Sequence, residues 1–342
     1  MEAQNRALQR ILPPFLPAVQ IEALSTRFIL NDGSPRLAGM TGTKAIRESG
    51  QKSAARGSGT RVFGVIPQRF SNLSWSDPAS NELRQLQLSR LRLDGGAALE
   101  DEHTAVTFVR SVSFVLRYNA TPGLPLAAMF RAVGDKRRAI ELTNLLLARV
   151  EVIETNLIAE RLTLIRRDLV PAVYSLRLRY RSPLLSPNAR RALEFINREG
   201  QATSGEVRRY LGVAGRKRPD PADLALTELQ REMLIDRGPS SVPKTGIPYL
   251  SPEGFPYHLF EKTHRDLVRA AGKLRAADAA RAVIEAYLRA AVFVTPRKLA
   301  SIFRLLFSEA EMNSAIAELV GANKAQATKT CVLFAGIDAQ TW

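Results

Sequence analysis

The sequence predicts a mainly α chain with small β-hairpins, an α+β fold, and three observations carry that reading. From residue 102 onward, apolar residues recur at helical spacing in runs that open on serine, threonine or aspartate and close on glycine. Pairs of short β-prone runs follow the third helix of each group. The order helix, helix, helix, strand, strand then returns at roughly equal spacing, an internal repeat of structure rather than of sequence. Three tandem modules are expected, preceded by a partly disordered basic amino-terminal region.

Residues 1–30 read as an amino-terminal arm. Leu8, Ile11, Leu12 and Phe15 have helical spacing, but Pro13, Pro14 and Pro17 cut a helix short. Residues 31–61 carry Arg36, Lys44, Arg47, Lys52, Arg56 and Arg61 against Asp32 and Glu48. Too little apolar surface is present there to offset the entropy of ordering, so this is a flexible basic linker, either solvated or grazing phosphates. In 62–101, Val62, Phe63, Val65, Ile66, Phe70 and Trp75 predict one or two short strands. The alternation of Leu86 and Leu88, then Leu91 and Leu93, predicts another, closed by the turn Asp94-Gly95-Gly96. On that strand Gln85 and Gln87, two apart, project from the same face.

The first module takes in residues 102–180. Ala105, Phe108, Val109, Val112 and Val115 predict a helix from Glu102 to Tyr118, and Leu124 to Val133 a second, ended by Gly134. Asp135 caps a third, Lys136 to Arg149, with Arg137 and Arg138 in its first turn. Two strands follow, near Val150–Thr155 and Arg161–Ile165, then a connecting helix with Pro171. Glu151 and Glu154 read as solvated strand residues.

The second module, residues 186–262, is the best formed. Ser186 and Pro187 start its first helix, and Gly200 stops it. Thr203 with Glu206 forms a capping box for the second helix, ended by Gly212. A basic loop with Arg216, Lys217 and Arg218 leads to a third helix, capped by Asp220. Ala222, Ala225, Leu226, Leu229 and Met233 form its apolar face, leaving Thr227, Gln230 and Arg231 on the open side. Met233 to Asp236 and Phe255 to Leu259 read as strands around a proline- and glycine-rich tip containing Lys244. This is the plan of a winged helix.

The third module, residues 263–342, repeats it. An alanine-rich helix runs from Ala276 to Val292, a second starts at Thr295-Pro296 and places Arg297 and Lys298 in its first turn, and Ser308 with Glu311 caps a third. Strand residues lie between Lys324 and Ile337.

The formal charge of +16 points to a polyanionic partner, since excess lysine and arginine gain affinity by releasing counterions from phosphates. No apolar run approaches the roughly 20 residues that span a bilayer, and the start lacks a signal peptide, so the expected location is cytoplasmic and nucleoid-associated, without a membrane partner. One cysteine and three scattered histidines supply neither a disulfide nor a zinc-binding pattern, and no nucleotide-binding glycine loop is present; no metal and no cofactor are expected.

Over about residues 104–335 the chain resembles the winged-helix family that includes the AlkZ and YcaQ DNA glycosylases, especially its AlkZ-related branch. Ala105-Val-Thr-Phe-Val-Arg, Leu169-Val-Pro-Ala-Val-Tyr-Ser-Leu, Ala225-Leu-Thr-Glu-Leu-Gln-Arg, Tyr287-Leu-Arg and the stretch from Ala300 to Leu319 carry the resemblance. It implies tandem winged helices around duplex DNA. In the enzyme members it also implies release of bulky or cross-linked alkylpurines, with a Gln-x-Gln or Gln-x-Asp pair positioning the hydrolytic water. The Gln-x-Gln of this chain is Gln85-Leu86-Gln87, ahead of the first module.

The residues favour binding over catalysis. Arg216, Lys217, Arg218 and Lys244 are expected on phosphates, with Arg137, Arg138, Arg297 and Lys298 extending the track. Thr227, Gln230 and Arg231 are expected at base edges in the major groove. The alternatives are a glycosylase that uses Gln85 and Gln87, and a scaffold that uses its winged helices for protein contacts.

Overall fold

A computed structural model of the chain describes residues 78–335, apart from 97, 120–121, 181–183, 215–218, 238–253, 255 and 329. The expected arm, the linker and the strands over 62–75 lie outside the described residues, as do Arg216, Lys217, Arg218 and Lys244. The described part is mainly helical with small sheets, the α+β class expected.

The first described element corrects an expectation. Residues Pro78–Arg90 form helix α1, not a strand. Leu83, Leu86, Gln87 and Arg90 fall at i, i+3, i+4 and i+7, one face of a helix. That face is used: Leu83 and Leu86 pack with Val292, Phe293, Cys331 and Leu333, while Gln87 and Arg90 donate to backbone carbonyls. The leucine alternation that mimicked a strand belongs to a helix ending at Arg90 and the turn after it.

Thereafter one order of elements occurs three times. In the first repeat, α2 (Glu102–Val112) leads to strand β1 (Phe114–Leu116), then β2 (Ala127–Ala128), α3 (Met129–Val133), α4 (Lys136–Ala148), β3 (Val152–Thr155) and β4 (Thr163–Arg166). In the second, α6 (Pro187–Glu199) is followed by β5 (Gln201–Thr203), α7 (Ser204–Leu211), α8 (Pro221–Arg231), β6 (Ile235–Asp236) and β7 (Pro256–Leu259). In the third, α11 (Ala276–Ala291) precedes β8 (Phe293–Val294), α12 (Pro296–Phe303), α13 (Glu309–Gly321), β9 (Ala325–Ala327) and β10 (Val332–Phe334). Between the repeats lie α5 (Val170–Arg179), and then the short α9 (Phe260–Thr263) and α10 (Arg265–Ala271).

Each sheet has the same plan. The last strand is central, antiparallel to the strand after the first helix and to its hairpin partner: β1-β4-β3, β5-β7-β6 and β8-β10-β9, with β2 added in parallel beside β1. The helix expected from Glu102 to Tyr118 stops at Val112, where Ser113 adopts φ 67° and Phe114-Val115-Leu116 enter the sheet. The helix expected from Leu124 likewise begins only at Met129, after β2.

Local chemistry explains the helix ends. Asp135, Ser186, Asp220 and Thr295 accept from backbone N–H groups three residues on, and Thr203–Glu206 and Ser308–Glu311 form reciprocal capping boxes. Gly212 ends α7 at φ 72°, a left-handed position that glycine adopts without steric cost.

The cores tie the repeats together unequally. One cluster runs through the first and third repeats and the connecting helices; in it Phe303 meets Phe114 and Tyr287 edge-on, at 5.6 and 5.3 Å. Helix α5, expected as a mere connection, lies along α10 and α11 and buries Val170, Val173, Tyr174 and Leu176. The second repeat has its own apolar cluster around Ile196, Val207, Leu226, Leu229 and Tyr257. Its attachment to the first repeat is correspondingly rich in polar groups.

Candidate nucleic-acid interface

The third helix of the second repeat is α8, and its free side was expected to be open. It is not. Gln230 is 2% exposed, and its Oε1 lies 3.4 Å from the amide nitrogen of Asn156 in the first repeat. Arg231 is half-buried, with Nη2 3.9 Å from Glu160, and its carbonyl accepts from Arg177 at 3.0 Å. Thr227 is half-buried as well. The tertiary packing thus turns this face toward the first repeat, and the base-edge expectation for Gln230 is corrected.

Beneath that contact lies a buried ionic seam. Glu154, expected to be solvated, is enclosed between Arg117 and Arg237, with side-chain exposures of 0%, 1% and 8%. Burial alone would raise the Glu154 carboxyl, but the two guanidinium groups outweigh it and hold it below the usual carboxylate range. Burial likewise works against the charge of Arg237, and the attraction of Glu154 overcomes it, holding that group protonated. Next to it, buried His264 and Asp236 share a 2.6 Å hydrogen bond. Farther along, Arg177 joins Glu232 at 2.5 Å and the carbonyl of Leu305 at 3.1 Å, so one side chain spans the second and third repeats. These groups neutralise one another, and their chemistry is that of a latch.

The expected phosphate contacts divide in the same way. Arg137 is exposed at the start of α4, 3.4 Å from Glu141. Arg138 is braced: it donates to the Glu100 carbonyl at 3.2 and 3.0 Å and to Glu141 at 3.2 Å. Arg297 and Lys298 are exposed in the first turn of α12, where Thr295 caps the Lys298 N–H. Arg297, Ser301 and Arg304 share one face at i, i+4 and i+7. Helix α13, the third helix of its repeat, instead exposes Glu309, Asn313, Ser314 and Glu318. Of the second and third helices of this repeat, the second therefore carries the exposed cations.

That basic face of α12 adjoins the tip of the β3–β4 hairpin. A depression of about 330 Å³ is lined by Leu124, Ala159, Glu160, Arg161, Ser301 and Arg304. Glu160 pairs there with Arg304. The sequence reading passed over Arg161 and Arg304. The i+7 relation to Arg297 marks Arg304, while Arg161 carries no comparable signal.

Gln85 and Gln87 do not share a face. On α1 they lie about 200° apart. Gln85 is exposed, whereas Gln87 donates to the carbonyls of Ala291 and, at 2.7 Å, Phe293. Those carbonyls flank Val292, at φ 65°, where α11 ends and leaves acceptors without helical partners. Gln87 caps α11 in trans. Among the described residues no group of His, Cys, Asp or Glu is placed to hold a metal ion, and no helix is long and apolar enough to cross a membrane.

With this geometry in place, comparison with known proteins gives one family. A family model described as "AlkZ related" matches residues 155–304, from the end of β3 to the residue after α12. Over that segment the chain is similar to this family. No curated protein matches it. Among solved structures, the Streptomyces sahachiroi DNA glycosylase AlkZ is similar at 15% identity with a TM-score of 0.45, over 75% of this chain and 69% of that one. The AlkZ-related segment takes in the hairpin tip, the whole second repeat and the basic helix α12, and hence Arg161, Arg231, Arg297, Lys298 and Arg304.

Proposed function

We propose that this protein binds duplex DNA, in repair or regulation, through three tandem winged helices spanning 102–180, 186–262 and 263–342. The observation that carries this reading is the AlkZ-related match over residues 155–304, which covers the stretch where the exposed cations of α12 meet the β3–β4 hairpin. The net charge of +16 acts in the same direction. The shared strand order supports the winged-helix assignment, the β3–β4 and β9–β10 hairpins taking the place of wings. Because α8 is packed inward, affinity is assigned to the cations Arg137, Arg297 and Lys298 and, outside the described residues, to Arg216, Lys217, Arg218 and Lys244. Binding of this kind is carried by phosphates and reads little sequence.

The DNA glycosylase alternative rests on the resemblance alone. Its proposed pair, Gln85 and Gln87, diverges on α1, so we favour binding without hydrolysis by this pair.

Fluorescence anisotropy with a labelled duplex at several salt concentrations tests the proposal. Affinity should fall steeply with salt, by about 0.9 in log–log slope for each phosphate neutralised. Arg297→Ala combined with Lys298→Ala should flatten the slope. Absence of duplex binding at low salt, or a salt-independent affinity, overturns the reading. An abasic-site assay on duplexes carrying bulky alkylguanine runs beside it; cleavage would replace binding alone by the glycosylase reading.

A further inference from the structure

The tip of the β3–β4 hairpin is built in an unusual way. Ala159 and Glu160 are both left-handed, at φ 51° and 52°, a conformation that residues other than glycine adopt only at a cost. What the tip accomplishes is the placement of Glu160. From the first repeat its carboxylate reaches Arg304, at the end of α12, and approaches Arg231, at the end of α8. One acidic side chain thus sits among arginines of all three repeats, since Arg161 lines the same depression.

The match between Glu160 and its arginines is incomplete. Arg231 Nη2 stops 3.9 Å from the carboxylate, too far for a hydrogen bond. Its Nε is buried and has no acceptor among the described residues. Two arginines, Arg161 and Arg304, line a depression of about 330 Å³ with the single carboxylate of Glu160, and Arg231 stands beside that carboxylate, leaving a surplus of positive charge. The hydroxyl of Ser301 adds a donor on one wall, and Leu124 offers an apolar surface on another. A tetrahedral anion with several acceptor oxygens satisfies this arrangement better than one carboxylate does.

We propose that this depression is a phosphodiester subsite in which Glu160 is the resident anion, displaced when a nucleic-acid backbone phosphate enters between Arg304 and Arg161. The proposal rests on the DNA-binding reading and adds a location and a gate to it. In the free protein Glu160 holds the arginines in place and lowers their affinity for stray anions. On binding, the phosphate competes with a carboxylate already present, so anions with fewer or poorly placed acceptor oxygens are rejected. The subsite also joins the first and third repeats at one point of the backbone.

Two arms test this. Anisotropy titrations of a short duplex compare the full chain with Glu160→Gln, Arg304→Ala and Ser301→Glu. Glu160→Gln should bind about four-fold tighter, the effect of removing one unit of repulsion at ~5 Å in a water-like medium. Arg304→Ala should weaken binding and flatten the salt slope by about 0.9. Ser301→Glu adds a second carboxylate to the depression, three residues from Arg304, and should weaken binding. Duplex binding with Glu160→Gln no tighter than wild type and the Arg304→Ala slope unchanged overturns the subsite and leaves the DNA-binding reading standing. In the second arm, inorganic phosphate is titrated while the arginine Nε–Hε signals are followed by NMR. Shifts of Arg304 and Arg161 that are larger in Glu160→Gln than in wild type support the anion site even if no variant binds duplex, in which case the DNA-binding reading falls alone. No shift in either protein overturns the site.

Discussion

Glu154→Gln is the most informative single substitution for how the repeats are held together. The change is nearly isosteric and removes one negative charge from between Arg117 and Arg237. With side-chain exposures of 0%, 1% and 8%, solvent cannot replace the lost counter-charge. Removing one partner of a buried pair costs about 3–5 kcal/mol, and one carboxylate serving two guanidinium groups belongs near the top of that range. At about 2–4 °C per kcal/mol for a chain of this size, the melting temperature should fall by about 8–20 °C. Circular dichroism melts and urea titrations measure it. Replacing all three groups by apolar residues of similar volume, Glu154→Leu with Arg117→Met and Arg237→Met, should recover most of the loss, because it strands no charge. The same group sets an acid limit. Its folded pKa lies below the unfolded value of about 4.3, so its contribution is complete above that pH and is lost as pH falls through the folded value. A Glu154→Gln protein within ~1 kcal/mol of wild type at pH 7, or one with unchanged acid sensitivity, refutes the reasoning.

Two further outcomes follow from local geometry. Gln87→Ala should destabilise the fold by about 1–3 kcal/mol by removing the side-chain donor that the Ala291 and Phe293 carbonyls accept from, whereas exposed Gln85→Ala should stay within ~0.5 kcal/mol; equal effects in a urea titration would refute the cap. Burial works to raise the Glu311 carboxyl, but hydrogen bonds from Tyr180, Ser308 and Arg179 outweigh it and lower the pKa to about 2. Tyr180→Phe should move that value upward in a carboxyl NMR titration, and the stability linked to Glu311 is present above about pH 4.3 and lost toward pH 2. An unmoved titration curve would show that the tyrosine contributes nothing.

The helix starts were legible because capping is settled within four residues. Ser186, Thr203 with Glu206, Asp220 and Ser308 with Glu311 act where their spacing places them. The first strands of the repeats were not. Phe114–Leu116, Gln201–Thr203 and Phe293–Val294 are two or three residues long, too short to express a period of two. They form because the return strand of each sheet offers an unpaired edge. Helix α1 was misread because Leu86, Leu88, Leu91 and Leu93 alternate, and only the third repeat, by accepting Leu83, Leu86 and Gln87, selects the helical face.

By itself the sequence determined the class of the fold, the order of its helices, most of their boundaries, the excess of positive charge and the AlkZ-related resemblance. These follow from periodicity, capping and composition, which act over short range or over the whole chain. Only the tertiary structure decided which polar residues are free. Gln230 and Glu154 have the composition of surface residues, yet the packing of the second repeat on the first buries both. Glu160, Arg231 and Arg304, distant in sequence, meet because a strained hairpin tip reaches across to two other repeats. Contacts of that kind depend on how modules dock, and no local pattern encodes it.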